Sequence, residues 1–143
     1  MTYAQPRRAA RPHSVQAYAN IGLETKVLSA SPEQLITLLF DGALAAIAKA
    51  ALYMQGDNIQ GRGAAISKAI DIVDSGLKAG LDMRAGGELA ANLAATYDLI
   101  MRNLLLANIN ADPAKLALAQ RLLSDIADAW RTSVTPSGQP APA

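Results

Sequence analysis

The sequence has no cysteine, one histidine and one phenylalanine. Without cysteine there is no disulfide, no thiolate nucleophile and no Cys-based metal site. A carboxylate-bridged dimetal centre in a helical protein needs Glu-x-x-His pairs. The only histidine, His13, lies between Pro12 and Ser14 in the first tract, so that centre is excluded too. No nucleophile–base pair, Walker loop or dinucleotide fingerprint appears. Gly61-Arg62-Gly63 and Gly86-Gly87 lack the preceding strand that a phosphate-binding loop requires. No enzyme chemistry, metal or cofactor is legible. The formal net charge is +1, too small for a nucleic-acid partner. The positive cluster Arg7, Arg8 and Arg11 reads as a solvated tail or as a weak contact for an acidic partner or a membrane surface. There is no signal-peptide run at the start and no uninterrupted apolar stretch of about 18 residues. The segment from Leu35 to Met54 comes nearest, but Asp41 and Lys49 interrupt it. The expectation is a soluble, cytoplasmic protein with no membrane insertion.

What is present is aliphatic. Apolar residues make up 51% of the chain and aromatics 4%, so any core is built from Leu, Ile and Ala, which favour helices. Four segments show helical periodicity. Ser31-Pro32-Glu33-Gln34 supplies a cap, a first-turn proline and a capping-box partner. The helix that follows runs to about Met54, with Leu35, Ile36, Leu39, Phe40, Ala43, Ile47 and Met54 on one face and Gly56-Asp57 as its stop. A second helix starts between Asn58 and Ala64. Ile66, Ala69, Ile70, Val73, Leu77 and Leu81 point one way, and Lys68, Asp71, Asp74, Ser75 and Lys78 the other. Gly76 and Gly80 sit at the edge of that stripe, where they allow close packing or a shallow groove. Arg84-Ala85-Gly86-Gly87 reads as a turn, and a third helix runs from Glu88 to about Asn108. Asp112-Pro113 caps a fourth, with Leu116, Leu122, Leu123, Ile126 and Trp130 on its apolar face. Short connections favour antiparallel neighbours. The predicted fold is all-α: an antiparallel up-down-up-down four-helix bundle over 31–131. Residues 1–30 form a basic tail and arm, and 132–143 a disordered tail.

The third helix carries more apolar surface than a bundle needs. Leu89, Leu93, Tyr97, Ile100, Met101 and Leu104 make a core-facing stripe. Leu99, Leu105, Leu106 and Ile109 fall outside it. Such a surplus face packs on its own chain or receives a partner. In the arm, Val15, Tyr18 and Ile21 recur at three-residue spacing, on one side of a short helical turn. A turn that short needs a surface to dock on. Asp41 and Asp98, each following an aromatic in an otherwise apolar helix, are candidates to pair with a base or cap a neighbouring group.

Particular strings carry a resemblance. They begin with Ser29-Ala30-Ser31-Pro32-Glu33-Gln34-Leu35-Ile36 and Leu39-Phe40-Asp41-Gly42-Ala43. Gly56-Asp57, Ile66-Ser67-Lys68-Ala69-Ile70-Asp71-Ile72 and Gly76-Leu77-Lys78-Ala79-Gly80-Leu81-Asp82 follow. Gly86-Gly87-Glu88-Leu89-Ala90, Asn92-Leu93, Tyr97-Asp98, Leu104-Leu105, Ala107-Asn108 and Ala129-Trp130 complete the series. In this order and spacing, over roughly residues 15 to 131, the chain resembles the flagellar secretion chaperones of the FliS family. It departs from their pattern at Asn103, where a basic residue is expected, and in the basic first tract. The resemblance implies a cytoplasmic export chaperone. It would bind the disordered C-terminal segment of flagellin, prevent premature polymerisation and deliver it to the flagellar type III export gate. It also implies contact with the flagellar anti-sigma factor. A mobile arm with a tyrosine at the position of Tyr18 would lie over an apolar cleft without cargo and take part in gate docking. Partner-binding candidates are thus Val15, Tyr18, Ile21, Leu99, Leu105, Leu106 and Ile109. The competing reading is a self-associating helical-bundle protein whose surplus apolar face is an oligomer contact.

Overall fold

The computed structural model describes residues 30–138 of the chain. Among the described residues all regular structure is helical. Helix α1 spans Pro32–Gln55. The Ser31 hydroxyl accepts from the Gln34 N–H at 3.2 Å, and the Ser31 N–H donates to Gln34 Oε1 at 2.8 Å. This reciprocal box satisfies donors that the first turn would leave orphaned. Helix α2 spans Ile59–Asp71, capped by Asn58 Oδ1 on the Gly61 N–H at 2.9 Å.

The chain then winds into a π-helix over Ile72–Lys78, with a five-residue hydrogen bond from the Ala79 N–H to the Asp74 carbonyl at 3.1 Å. The wider turn brings Ile72, Val73, Gly76 and Leu77 inward within seven residues. Gly76 lies close against α1: a Cβ there would sit 2.8 Å from Leu39 Cδ2 and push that side chain aside.

Helix α3 spans Met83–Asn110, capped by Asp82 Oδ1 on the Arg84 and Ala85 N–H groups. It is broken at Gly87, whose φ of 53° and ψ of −128° belong to no helix. The turn expected at Arg84–Gly87 is therefore one capped helical turn followed by a kink. Ala111, at φ 49°, ends α3 in the left-handed region. Helix α4 spans Pro113–Gly138, with Asp112 Oδ1 accepting from the Ala114 N–H at 3.0 Å. The sequence stops this helix near residue 131; the structure carries it on to Gly138. Residues 132–138 of the expected tail are therefore helical, and 139–143 lie outside the described residues.

Pairings fix the arrangement. Leu39 meets Gly76 and the Tyr53 ring meets Gly61, so α1 and the second helical segment run antiparallel. Arg62 donates to Asn108 Oδ1 at 3.0 Å and Lys78 to Asp98 at 2.7 Å, so that segment and α3 are antiparallel too. The Trp130 indole N–H donates to Thr37 Oγ1 at 3.0 Å and ties the late part of α4 to the start of α1. The core is aliphatic. Leu39, Ile47, Ile66, Ile72, Ile100, Leu104 and Leu123 are fully buried.

Candidate functional site: an apolar cleft at one end of the bundle

Where the start of α1, the π-helix, the start of α3 and the late part of α4 converge, the bundle does not close. A cleft of about 580 Å³ remains. Ile36 and Phe40 of α1 form one wall. Leu77, with Gly76 and Gly80, forms the next, and the missing side chains of the two glycines leave that wall recessed. Leu89, Leu93 and Tyr97 of α3 and Ile126 and Trp130 of α4 close the other sides. None of the lining residues is charged. A concave, mostly apolar space with few polar groups is the usual form of a binding site.

Three ion pairs flank it in sequence. Lys78, beside Leu77, meets Asp98, beside Tyr97, at 2.7 Å. This hydrogen bond raises the pKa of the Lys78 ammonium. Arg131, beside Trp130, meets Asp41, beside Phe40, at 2.8 Å and Asp128 at 3.0 Å. The two acids singled out in the sequence thus hold bases from neighbouring helices. These are exposed pairs, and each adds little stability. Tyr97 is the buried polar member of the cleft, only 3% exposed. Burial pushes its hydroxyl pKa up to about 12.

The structure corrects one assignment. Leu89, placed on the core stripe, is 68% exposed and stands at the cleft mouth. It lies two residues after the Gly87 break, and its neighbour Ala90, 3% exposed, is the residue turned inward there. Leu93, Tyr97, Ile100, Met101 and Leu104 do face inward. The surplus residues lie elsewhere. Leu99, Leu105 and Ile109 are exposed and Leu106 is half-buried, all on the later part of α3 and none in the cleft lining. Val15, Tyr18 and Ile21 lie outside the described residues. Asn103, noted in the sequence only as a departure from the family pattern, is buried with its amide donating to the Leu99 carbonyl at 2.9 Å. The lining of the cleft was not read from the residues, because its walls come from four separate helices. The one signal for it was the Gly76/Gly80 pair.

A second, shallower groove of about 410 Å³ lies between α1 and α2, floored by small residues with Lys49 and Lys68 at its edges. Helix α1 is long and apolar enough to cross a membrane by length and composition alone. Here its apolar face is spent on the bundle: Leu39, Phe40, Ala43, Ala46, Ile47 and Ala50 are all buried. Among the described residues no group of acids or histidines is placed to hold a metal ion.

The model of the family described as flagellar protein FliS matches residues 14–137. The chain belongs to the FliS family. It is 48% identical over 117 residues to the flagellar secretion chaperone FliS of Salmonella typhimurium, covering 82% of this chain and 87% of that protein. It is 47% identical over 119 residues to the protein of the same name from Escherichia coli, covering 83% and 88%. The Bacillus subtilis protein of that name is 29% identical over 111 residues. The export-chaperone role of the family is therefore this chain's as well.

Proposed function

We propose that this FliS-family chain holds the C-terminal segment of flagellin in the cytoplasm, blocks its premature assembly and delivers it to the flagellar export gate. One observation carries the reading: an uncharged apolar cleft left open at the end of an otherwise well-packed bundle. A segment that is disordered alone loses conformational entropy when bound, so it needs a large apolar partner surface. The cleft supplies part of it. Leu99, Leu105, Leu106 and Ile109 extend apolar surface along α3 and are proposed as further cargo contacts. The many contacts are each modest, which suits a cargo that must be released.

The arm is the proposed switch. Val15, Tyr18 and Ile21 dock on the bundle when cargo is absent and become free for the gate when cargo fills the cleft. The aromatic ring of Tyr18 with its one polar tip fits an interface that must reopen. The anti-sigma factor is a further proposed partner. The proposed activity is binding, with no catalysis, nucleic-acid partner or membrane insertion.

The test mixes the chain with monomeric flagellin and with flagellin lacking its C-terminal segment. Co-elution and suppressed polymerisation only for the intact flagellin support the reading. Equal behaviour of both, or neither, sinks it. The exposed Leu99, Leu105 and Ile109 also favour the alternative of self-association. A stable homo-oligomer that excludes flagellin would establish that instead.

A further inference from the structure

The polar groups of the cleft are few, and all but one are occupied. Ser133 donates its hydroxyl to the Trp130 carbonyl at 2.9 Å. The Trp130 indole N–H is spent on Thr37. The remaining group is the Tyr97 hydroxyl, which has no hydrogen-bond partner among the described residues although the side chain is almost wholly buried. A buried hydroxyl left unpaired is destabilising, and such groups are rare in folded proteins.

The walls also constrain what can enter. All four are helical, with backbone groups bonded internally, so the cleft offers an occupant no sheet edge to pair with. An entering segment must satisfy its own backbone, which a helix does and an extended strand does not. The lining carries no charge, and the nearest charged side chains in sequence, Lys78, Asp98, Arg131 and Asp41, already pair with one another. A charged group pushed into this space would lose water without gaining a counter-charge.

Resting on the cargo reading above, we propose that Tyr97 is a specificity contact: its hydroxyl hydrogen-bonds an uncharged polar side chain, Asn, Gln, Ser or Thr, set within the apolar face of a cargo helix lying in the cleft. Apolar cargo residues fill the space between Leu77, Leu93 and Ile126. The single polar residue opposite Tyr97 fixes the register of the helix. An apolar helix without it leaves the hydroxyl buried and unpaired, which is how a site built around one hydrogen bond rejects its near-isosteres.

The experiment uses the full chain, its Tyr97→Phe variant and a synthetic peptide of the flagellin C-terminal segment. Without peptide, Y97F should melt at the same temperature as the parent or higher, because it removes an unpaired buried hydroxyl. With peptide, its Kd should rise by about 3–10-fold, the loss of one neutral hydrogen bond. Each Asn, Gln, Ser and Thr of the peptide is then replaced by Ala against the parent chain. One position should lose a similar factor, and combining it with Y97F should add almost nothing further. Unchanged Kd for Y97F, or no peptide position coupled to it, overturns the proposal while leaving cargo binding in place. A large drop in melting temperature for Y97F would instead make the hydroxyl a structural group and also overturn it. If the parent chain fails to bind the peptide at all, the cargo reading itself has failed.

Discussion

Leu77 belongs at once to the core and to the cleft, and truncating it separates the two. Its side chain is 5% exposed and packs in the main aliphatic cluster, yet it lines the open space. Leu77→Ala removes three carbons. At about 0.8 kcal/mol per buried methylene the transfer cost is about 2.4 kcal/mol. A Leu→Ala change in a closed core adds a cavity penalty of about 24 cal/mol per Å³ of void. At Leu77 the void merges with the existing cleft, so that penalty is small. Leu123 is 0% exposed and does not line the cleft, so Leu123→Ala should carry both terms, about 3–5 kcal/mol. The assay is urea unfolding of both variants, followed by circular dichroism and by the fluorescence of Trp130, the chain's one tryptophan. The expected result is that L77A costs about 2–3 kcal/mol and L123A at least about 1 kcal/mol more. A cost below about 0.5 kcal/mol for L77A would place its side chain on the surface. A cost equal to that of L123A would mean that the cleft is closed in solution.

Four more outcomes are expected. Leu106→Ser should weaken flagellin-peptide binding by more than it lowers stability; a melted bundle with unchanged affinity in the folded fraction would make the residue core. Tyr18→Ala should leave peptide affinity equal or slightly tighter while weakening capture by the export gate, and a loss above about 2 kcal/mol in peptide affinity with normal gate capture would make Tyr18 a cargo contact. Ala111→Gly should stabilise by about 1 kcal/mol in a thermal melt, since Ala111 holds a left-handed φ of 49° that glycine adopts without a Cβ penalty. Tyr97 titrates near 12 when folded, against an ordinary value of 10 in the unfolded chain. The folded state thus favours the neutral phenol, and this contribution is full below pH 10 and lost as pH rises from 10 towards 12. Alkaline unfolding curves of the parent and Y97F should therefore diverge only above about pH 10, and parallel curves would contradict the burial of the ring.

Most of the fold was legible because it rests on local signals. The Ser31 box and the Asp112 cap are short-range hydrogen bonds written in the sequence, and the Ile66–Leu77 stripe is a periodicity. The π-helix was not legible. No local pattern marks it: the stripe reads as an ordinary helix through Leu77, and Gly76 faces Leu39, a residue distant in the chain. The exposure of Leu89 was hidden because the periodicity assumes one unbroken helix: Gly87 breaks it two residues earlier, and Ala90 rather than Leu89 is buried. The surplus leucines of α3 could be read from phase alone, and Leu99, Leu105 and Ile109 are exposed. The cleft could not, because its walls are brought together only when four helices pack. The fourth helix outran its expected end: Pro136 and Gly138 read as stop signals, yet the helix continues to Gly138.

The central claim is that this open end of the bundle receives flagellin, and a calorimetric titration of the flagellin C-terminal peptide into the full chain tests it most directly. A single 1:1 transition is expected, with a negative heat-capacity change from apolar burial. The affinity should change less than about twofold between low and moderate salt, because no charge lines the cleft. An absence of binding, or a stable homo-oligomer whose association shuts the peptide out, would contradict it.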